Sequence, residues 1–189
     1  MNATAIIIDM QEDFFAHARL SQRRSDLAHR VNELVQICRD AAVPLIWVRQ
    51  EWATDLSDAT IDARKAGIRM LLAGTPGASL LRELDARPTD RVVLKKRYSA
   101  FFGTDLDTVL NGLKTGKLIV AGINTHACVQ MTVMDAYQRD LEVVIARDCI
   151  DSYDAEYHEV ASRYMATQLA TGMTNEEIRS LLACPAVKP

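Results

Sequence analysis

The feature that most constrains the fold is a regular alternation of short apolar runs with segments of helical periodicity. The apolar runs, most of them rich in β-branched residues, lie at 3–8, 45–49, 91–95, 117–123, 141–147 and near 169–172. Strands that are apolar along their whole length are typical of parallel sheets covered by helices on both faces. The pattern therefore predicts an α/β fold in which a mainly parallel, six-stranded sheet lies between helical layers.

The helical segments connect these runs. Apolar residues at 3.6-residue spacing from Ser25 to Ala42 predict a helix with Ser25 as its N-cap and Cys38 in its buried stripe. Further helices are predicted at 105–113, 126–139, 154–168 and from Thr174 onward. Residues 50–90 are less regular, which predicts a surface excursion with one or two short helices. Because no repeat or linker interrupts the pattern, residues 1–189 are interpreted as a single domain.

The composition excludes several classes of protein. With 49% hydrophobic and 25% charged residues, the chain is too apolar for intrinsic disorder, and a net charge of −3 provides no basic surface for nucleic acid. The apolar runs are too short to span a membrane, and the start MNATAIIIDMQ lacks the basic region of a secretory signal. Four cysteines form no paired pattern: Cys38, Cys128, Cys149 and Cys184. We therefore expect a soluble, cytoplasmic protein with a small-molecule substrate and no nucleic-acid or membrane partner.

Polar residues at the ends of the apolar runs are the first candidates for function, because open parallel sheets bind ligands at the carboxyl ends of their strands. These residues are Asp9, Lys95, Lys96, the segment 124–128 and Asp148. Each has a structural alternative: Asp9 as a cap, the lysine as an edge residue and Cys128 as core filling. A carboxylate, an ammonium and a thiol at the carboxyl ends of strands in one sheet nevertheless favour a catalytic site over three separate structural roles.

These groups together fit nucleophilic catalysis. A thiol of ordinary pKa, about 8.5, is only a few per cent thiolate at neutral pH. The first turn of a helix, where the pattern places Cys128, favours the anion, while a carboxylate can accept its proton and a cation can stabilise the charges. Backbone N–H groups at the same turn can bind an oxyanion.

Five stretches, IIIDMQEDF, LKKRYSAFFGTDLD, VAGINTHACV, DAYQRD and ARDCIDS, resemble the isochorismatase-like cysteine hydrolase superfamily. The resemblance runs from about residue 4 to about residue 180. It implies a Rossmann-like three-layer αβα sandwich with an Asp–Lys–Cys triad, carried here by Asp9, Lys95 and Cys128. Lys96, one residue away, is the alternative for the lysine.

The resemblance also implies a reaction. A cis peptide between Ile123 and Asn124 would align the N–H groups of Asn124 and Cys128 as an oxyanion hole. The expected enzyme is an amidohydrolase that uses no cofactor and cleaves a C–N bond of a small amide, ureido or N-carbamoyl substrate through a thioester. Ureido acids are the leading substrate class. A homodimer or homotetramer is expected, with segment 50–90 completing a neighbour's pocket.

Nicotinamidases of the superfamily resemble this chain but carry a metal site, built from an Asp-x-His pair and a further His after the second strand. No histidine occurs between Gln50 and Asp90, which argues against that activity and against a metal. The remaining histidines, His17, His29 and His158, are interpreted as surface or packing residues, whereas His126 lies close enough to the cysteine to contact substrate.

The substrate pocket is expected to involve aromatic residues that follow the strands: Phe14, Trp52, Tyr98 and Phe101. Buried packing is the alternative for each of them. Arg69 and Arg97 are candidate partners for a substrate carboxylate.

Two other functions stay open. One is vinyl-ether hydrolysis of the isochorismatase type, whose enzymes commonly lack the cysteine. The other is a non-catalytic or redox-sensing role, in which Cys149 would resolve an oxidised Cys128.

Overall fold

The apolar runs form the strands of one sheet in the computed structural model, which describes residues 2–183. Met1 and residues 184–189, including Cys184, lie outside the described residues. The strands are β1 (Asn2–Ile8), β2 (Leu45–Gln50), β3 (Arg91–Lys95), β4 (Thr115–Gly122), β5 (Glu142–Ile150) and β6 (Thr171–Met173). The helices are α1 (Ala18–Asp40), α2 (Ile61–Ala66), α3 (Leu106–Gly112), α4 (Gln130–Tyr137), α5 (Ala155–Gln168) and α6 (Asn175–Ala183).

The sheet has the order β3-β2-β1-β4-β5-β6, and every pairing between neighbouring strands is parallel. This is the Rossmann strand order, so the predicted α/β architecture is confirmed and the sheet is entirely rather than mainly parallel. The chain runs outward from β1 in one direction through β2 and β3, and in the other from β4 through β6. The order reverses between β1 and β4, which is where ligands bind in open α/β sheets.

Helices cover both faces of the sheet. One core cluster packs α1 and α6 against one face, and a second packs α3, α4 and α5 against the other. Successive residues of β1 alternate between them: Ala5 and Ile7 face the first cluster, Ile6 and Ile8 the second, and all four are fully buried. Burial of both faces explains why the strands read as continuous apolar runs.

Several predicted boundaries were wrong. Helix α1 begins at Ala18, so Ser25 is an interior residue and not an N-cap. Leu20, seven residues before Leu27, lies on the same buried face, and the polar residues between them concealed this extra turn. Strand β5 extends to Ile150, beyond its predicted end at 147, because its pairing with β4 resumes after an irregularity.

The excursion between β2 and β3 contains α2 and one 3₁₀ turn, Pro76–Ala78. A small cluster holds its first half together, formed by Trp52, Leu56, Ala59, Ala63 and Leu72. Among the helices of residues 2–183, none combines the length and apolarity needed to cross a membrane.

Gly122, the last residue of β4, lets the chain pass unusually close to β1. Its φ of +114° is a conformation that favours glycine, and a Cβ at this position would collide with the backbone of Ile8. The close approach lies at the reversal point of the sheet, so glycine here sets the spacing between the two strand ends.

We expect Gly122→Ala to lower the free energy of unfolding by about 2 kcal/mol or more, because both the backbone conformation and the space oppose a methyl group. Gly112→Ala is the matched control: Gly112 ends a helix, with open space around the position. Urea denaturation measures both variants. Equal stability of the two would contradict this role of Gly122.

Candidate active site

Three side chains meet at the carboxyl edge of the sheet. Asp9 follows β1, Lys95 ends β3, and Cys128 lies in the turn after β4. Lys95 Nζ is 2.7 Å from Asp9 Oδ2 and 3.3 Å from Cys128 Sγ. Asp9 and Lys95 are fully buried and Cys128 is 2% exposed. The structure thus brings together the carboxylate, ammonium and thiol that the sequence placed at three strand ends.

Asp9 occupies a sharp turn at the end of β1. Its φ is +55°, in the left-handed region that aspartate tolerates better than most residues. Its N–H donates to Val48 O at 2.9 Å, and its carbonyl accepts from the Gln11 N–H at 2.7 Å. These backbone bonds fix Asp9 between β1 and β2.

Lys95 is held by one residue of β2 and one residue just past the end of β3. It is paired in register with Gln50 of β2, and its Nζ donates to Gln50 Oε1 at 2.9 Å and to Arg97 O at 3.0 Å. Lys96, the alternative, is partly exposed and forms an ion pair with Asp58 at 2.9 Å. The side chain beside Asp9 is therefore that of Lys95.

Gln50 is a member of the site that the sequence reasoning missed. A reciprocal pair of bonds fixes it, because Gln11 Nε2 donates to Gln50 O and the Gln50 N–H donates to Gln11 Oε1, both at 2.8 Å. Gln50 is the last residue of β2, so the strand-end rule applied to this strand would have found it.

Cys128 lies in a wide turn rather than in the first turn of an α-helix. Thr125–Val129 form one π-helical turn before α4, with the Val129 N–H donating five residues back to Asn124 O at 3.2 Å. Such turns are frequent at functional sites. The Ile123–Asn124 peptide bond is cis, as the resemblance implied. The Asn124 N–H donates to no acceptor among residues 2–183.

The buried carboxylate of Asp151, paired with two partly exposed arginines, anchors this turn. Asp151 accepts from Arg19 at 2.5 Å and from Arg23 at 3.1 Å. Its carbonyl oxygen accepts from both the N–H and the hydroxyl of Thr125 at 2.9 Å. The same hydroxyl is 2.8 Å from His158 Nδ1, so His158 packs against the turn as predicted.

Burial sets the protonation of the triad. Burial raises the pKa of Asp9, although Lys95 opposes the shift. Burial raises the pKa of the Cys128 thiol to about 12, with Asp9 adding to the effect and Lys95 opposing it. For Lys95, burial lowers the pKa, but the attraction of Asp9 helps to make the net shift upward. The resting form of Cys128 is therefore the thiol, because the loss of hydration outweighs the favourable effect of the helical turn on the anion. Attack by sulfur requires proton transfer within the site.

A cavity of about 540 Å³ opens in front of Cys128. Phe14, Trp52 and Tyr98 line it, together with Asn124 and Gln50. Asp9 and Lys95 are not among its lining residues. Of the three side chains, Cys128 is the one that lines the cavity.

The structure places other candidates elsewhere. Phe101 does not line the cavity: its ring is buried in the core with the Arg139 guanidinium 4.2 Å from its centre. Asp148 lies within β5, where its Oδ2 accepts from the Asn175 N–H at 2.9 Å. Neither residue is among those that line the cavity.

A histidine and two tyrosines form a wall that the sequence reasoning recognised only in part. His126 Nδ1 is 2.6 Å from Ser152 Oγ, and its Nε2 is 3.1 Å from the Tyr153 hydroxyl. The rings of Tyr153 and Tyr157 lie 4.9 and 5.2 Å from that of His126. All three rings line the cavity, and burial lowers the pKa of His126. The tyrosines were missed because they follow β5, which lies far along the chain from the strands that precede the other aromatic candidates.

Cys38 and Cys149 do not join the site. Cys149 lies in the core cluster on the opposite face of the sheet from Cys128, with its sulfur 3.2 Å from Arg30 O. It is not placed to form a disulfide with Cys128, contrary to what a redox-sensing role requires. Within residues 2–183, no group of three His, Cys, Asp or Glu side chains is arranged to hold a metal ion.

Comparison with known proteins gives a consistent set of matches. A family model described as the isochorismatase domain matches residues 3–177. An Arabidopsis thaliana protein named a probable inactive nicotinamidase is 29% identical over 165 residues, covering 83% of this chain and 84% of that protein. Ureidoacrylate amidohydrolase RutB of Methylorubrum extorquens is 29% identical over 135 residues, covering 63% of this chain and 54% of RutB. The crystal structure of a cysteine hydrolase from Pseudomonas syringae shares the fold, with a TM-score of 0.89 at 24% identity, covering 96% of this chain and 92% of that chain.

We expect Cys128 to show no thiolate at neutral pH, since its pKa is raised to about 12. Asp9→Asn should lower this pKa, because it removes the negative charge and leaves Lys95 beside the sulfur. Thiolate ultraviolet absorbance across pH, taken as the difference from Cys128→Ala, measures both values. A thiolate already present at pH 7 in the unsubstituted protein would refute this charge balance.

Proposed function

Because this chain belongs to the isochorismatase family, a family of hydrolases, we propose that it cleaves a C–N bond of a small amide, ureido or N-carbamoyl substrate through a thioester on Cys128. One observation carries the proposal: a buried ammonium contacts both a carboxylate, at 2.7 Å, and the sulfur that faces the cavity, at 3.3 Å. RutB, a relative named as an amidohydrolase, supports cleavage of this type of bond.

Acylation starts from a neutral thiol. Asp9, whose pKa is raised by burial, accepts the thiol proton as sulfur attacks the substrate carbonyl carbon. The S–C bond forms while the carbonyl π pair moves onto oxygen. The free N–H of Asn124 and the N–H of Cys128 bind that oxyanion, and the buried ammonium of Lys95 stabilises the negative charge.

The leaving nitrogen then needs the proton that Asp9 holds. Transfer from Asp9 to that nitrogen breaks the C–N bond and releases ammonia or an amine, leaving the thioester and a carboxylate at Asp9. A water molecule gives its proton to Asp9 and attacks the thioester carbon. The S–C bond breaks, and Asp9 returns the proton to sulfur.

Gln50 and Arg97 serve this cycle through Lys95. Their oxygens accept two of the three ammonium protons, so Nζ is held between the carboxylate and the sulfur. The ammonium must stay charged throughout the cycle. The raised pKa of Lys95 meets that requirement.

Cys128→Ala should lower kcat/KM by at least about a thousandfold and abolish any acyl adduct seen by mass spectrometry, because no other group supplies the nucleophile. Ammonia release from a panel of amides and ureido compounds measures turnover. Retained activity in this variant would remove the nucleophile assignment.

Lys95→Met should lower kcat/KM by about a hundredfold or more. The reason is that the negative charges on the sulfur, the Asp9 carboxylate and the oxyanion lose the ammonium group that stabilises them. Lys96→Met is the matched control, one residue away but paired with Asp58, and should retain activity. Circular dichroism verifies that each variant is folded. Equal activity of the two folded variants contradicts the role given to Lys95.

We expect kcat/KM to fall with decreasing pH along a limb that lies above the ordinary aspartate pKa of about 3.9, because Asp9 must be ionised to accept the thiol proton and its pKa is raised. Activity is thus present above the raised pKa and lost below it. A pH–rate profile with Lys96→Met as control locates the limb. A limb at or below the ordinary value means that Asp9 is not the base.

A further inference from the structure

One acidic residue lines the cavity in front of Cys128: Asp62, which lies in the first turn of α2 and is exposed to solvent on its other side. The lining residues of the described chain include no lysine or arginine. The imidazole of His126 also lines the cavity. Burial lowers the pKa of His126 and so favours its neutral form. At neutral pH the cavity therefore presents a negative charge to an incoming substrate.

The nearby cations are engaged outside the cavity. Arg69 donates to Thr54 O at 2.9 Å, Arg97 donates to Asp58 O at 2.8 Å, and Lys96 pairs with the Asp58 carboxylate. Neither arginine proposed from the sequence as a carboxylate partner reaches the wall of the cavity. The Lys95 ammonium lies behind Cys128 and is neutralised by Asp9.

The rest of the wall is largely apolar. Aromatic and aliphatic side chains from several segments of the chain line it: Phe14, Trp52, Ile68, Met70, Met131 and Tyr157. An anionic group entering this space would lose hydration without gaining a cationic partner, and it would meet Asp62. An uncharged apolar or aromatic group would instead gain from burial.

We propose that Asp62 is a specificity-determining residue that makes the cavity reject carboxylate-bearing substrates, so that the substrate is an amide whose non-reacting part is uncharged and apolar or aromatic. This rests on the proposed hydrolysis for the reacting carbonyl group. It turns the expected substrate class away from ureido acids and toward simple amides.

Asp62 also has a structural alternative, since a carboxylate in the first turn of a helix interacts favourably with the helix dipole. Helix α2 already has an N-cap, because the Thr60 hydroxyl accepts from the Ala63 N–H at 3.3 Å. A purely structural role would change stability but would not discriminate between ligands by their charge. The test therefore compares ligands that differ in charge alone.

Three para-substituted benzamides provide that comparison: 4-methylbenzamide is neutral, 4-carbamoylbenzoate anionic and 4-(aminomethyl)benzamide cationic. Binding is measured by calorimetry on Cys128→Ala, in which no turnover occurs. The anion should bind at least about tenfold more weakly than the neutral compound, because it meets the like charge of Asp62 and no cationic partner, and the cation should bind no more weakly.

Substitutions at Asp62 then assign the effect. Asp62→Asn in the same background should remove most of the penalty on the anion, and Asp62→Glu should keep it. Asp140→Asn is the control: Asp140 precedes β5 at the opposite edge of the sheet, in a left-handed conformation that Asn tolerates. It should leave the order of the three affinities unchanged.

The outcomes separate this proposal from the proposed function. Tighter binding of the anion, equal binding of all three, no binding of any, or an Asp62→Asn variant that discriminates as before would each overturn the role of Asp62. A different result would count against the hydrolytic mechanism. In that case the three compounds bind with the expected order of affinities, but the protein with Cys128 intact hydrolyses none of those that bind.

Discussion

The ion pair between Asp9 and Lys95 is the interaction on which the site depends. Both side chains are fully buried, and a charge in that position is tolerated only with a partner and well-placed hydrogen bonds. The oxygens of Gln50 and Arg97 provide those bonds for the ammonium. Because the partners come from separate strand ends, the spacing of the parallel sheet fixes their geometry. Removing one charge would leave the other buried and uncompensated.

That arrangement makes the resting sulfur unreactive. Burial keeps the Cys128 thiol protonated, and the same burial makes Asp9 a stronger base than an exposed aspartate. The low-dielectric environment thus disfavours free thiolate but strengthens every interaction formed as charge develops on the substrate. In the proposed mechanism, sulfur becomes nucleophilic only as its proton moves to Asp9. A protonated, buried thiol is also less open to side reactions than a free thiolate.

The buried polar groups of the site and most of the wall of the cavity come from different parts of the chain. Asp9 and Lys95 stand at strand ends, whereas much of the wall of the cavity comes from the excursion after β2, the segment that leads into α5 and the π-helical turn, which also carries Cys128. Loops and their short helices can change without disturbing the sheet, which is how one hydrolytic fold serves several substrates. The names of the two relatives differ accordingly, one a probable inactive nicotinamidase and the other a ureidoacrylate amidohydrolase. Asp62 belongs to the excursion between β2 and β3.

The sequence by itself determined the alternation of strands and helices, the parallel sheet, and the strand ends where Asp9, Lys95 and Cys128 stand. These follow from periodicity and from turn signals, which involve residues near one another in the chain. Only the tertiary structure decided that Lys95 and not Lys96 faces Asp9, that the thiol is protonated, and that Phe101 packs in the core. The burial of a side chain and the charges around it depend on residues brought together from distant segments of the chain. No local sequence pattern contains that information.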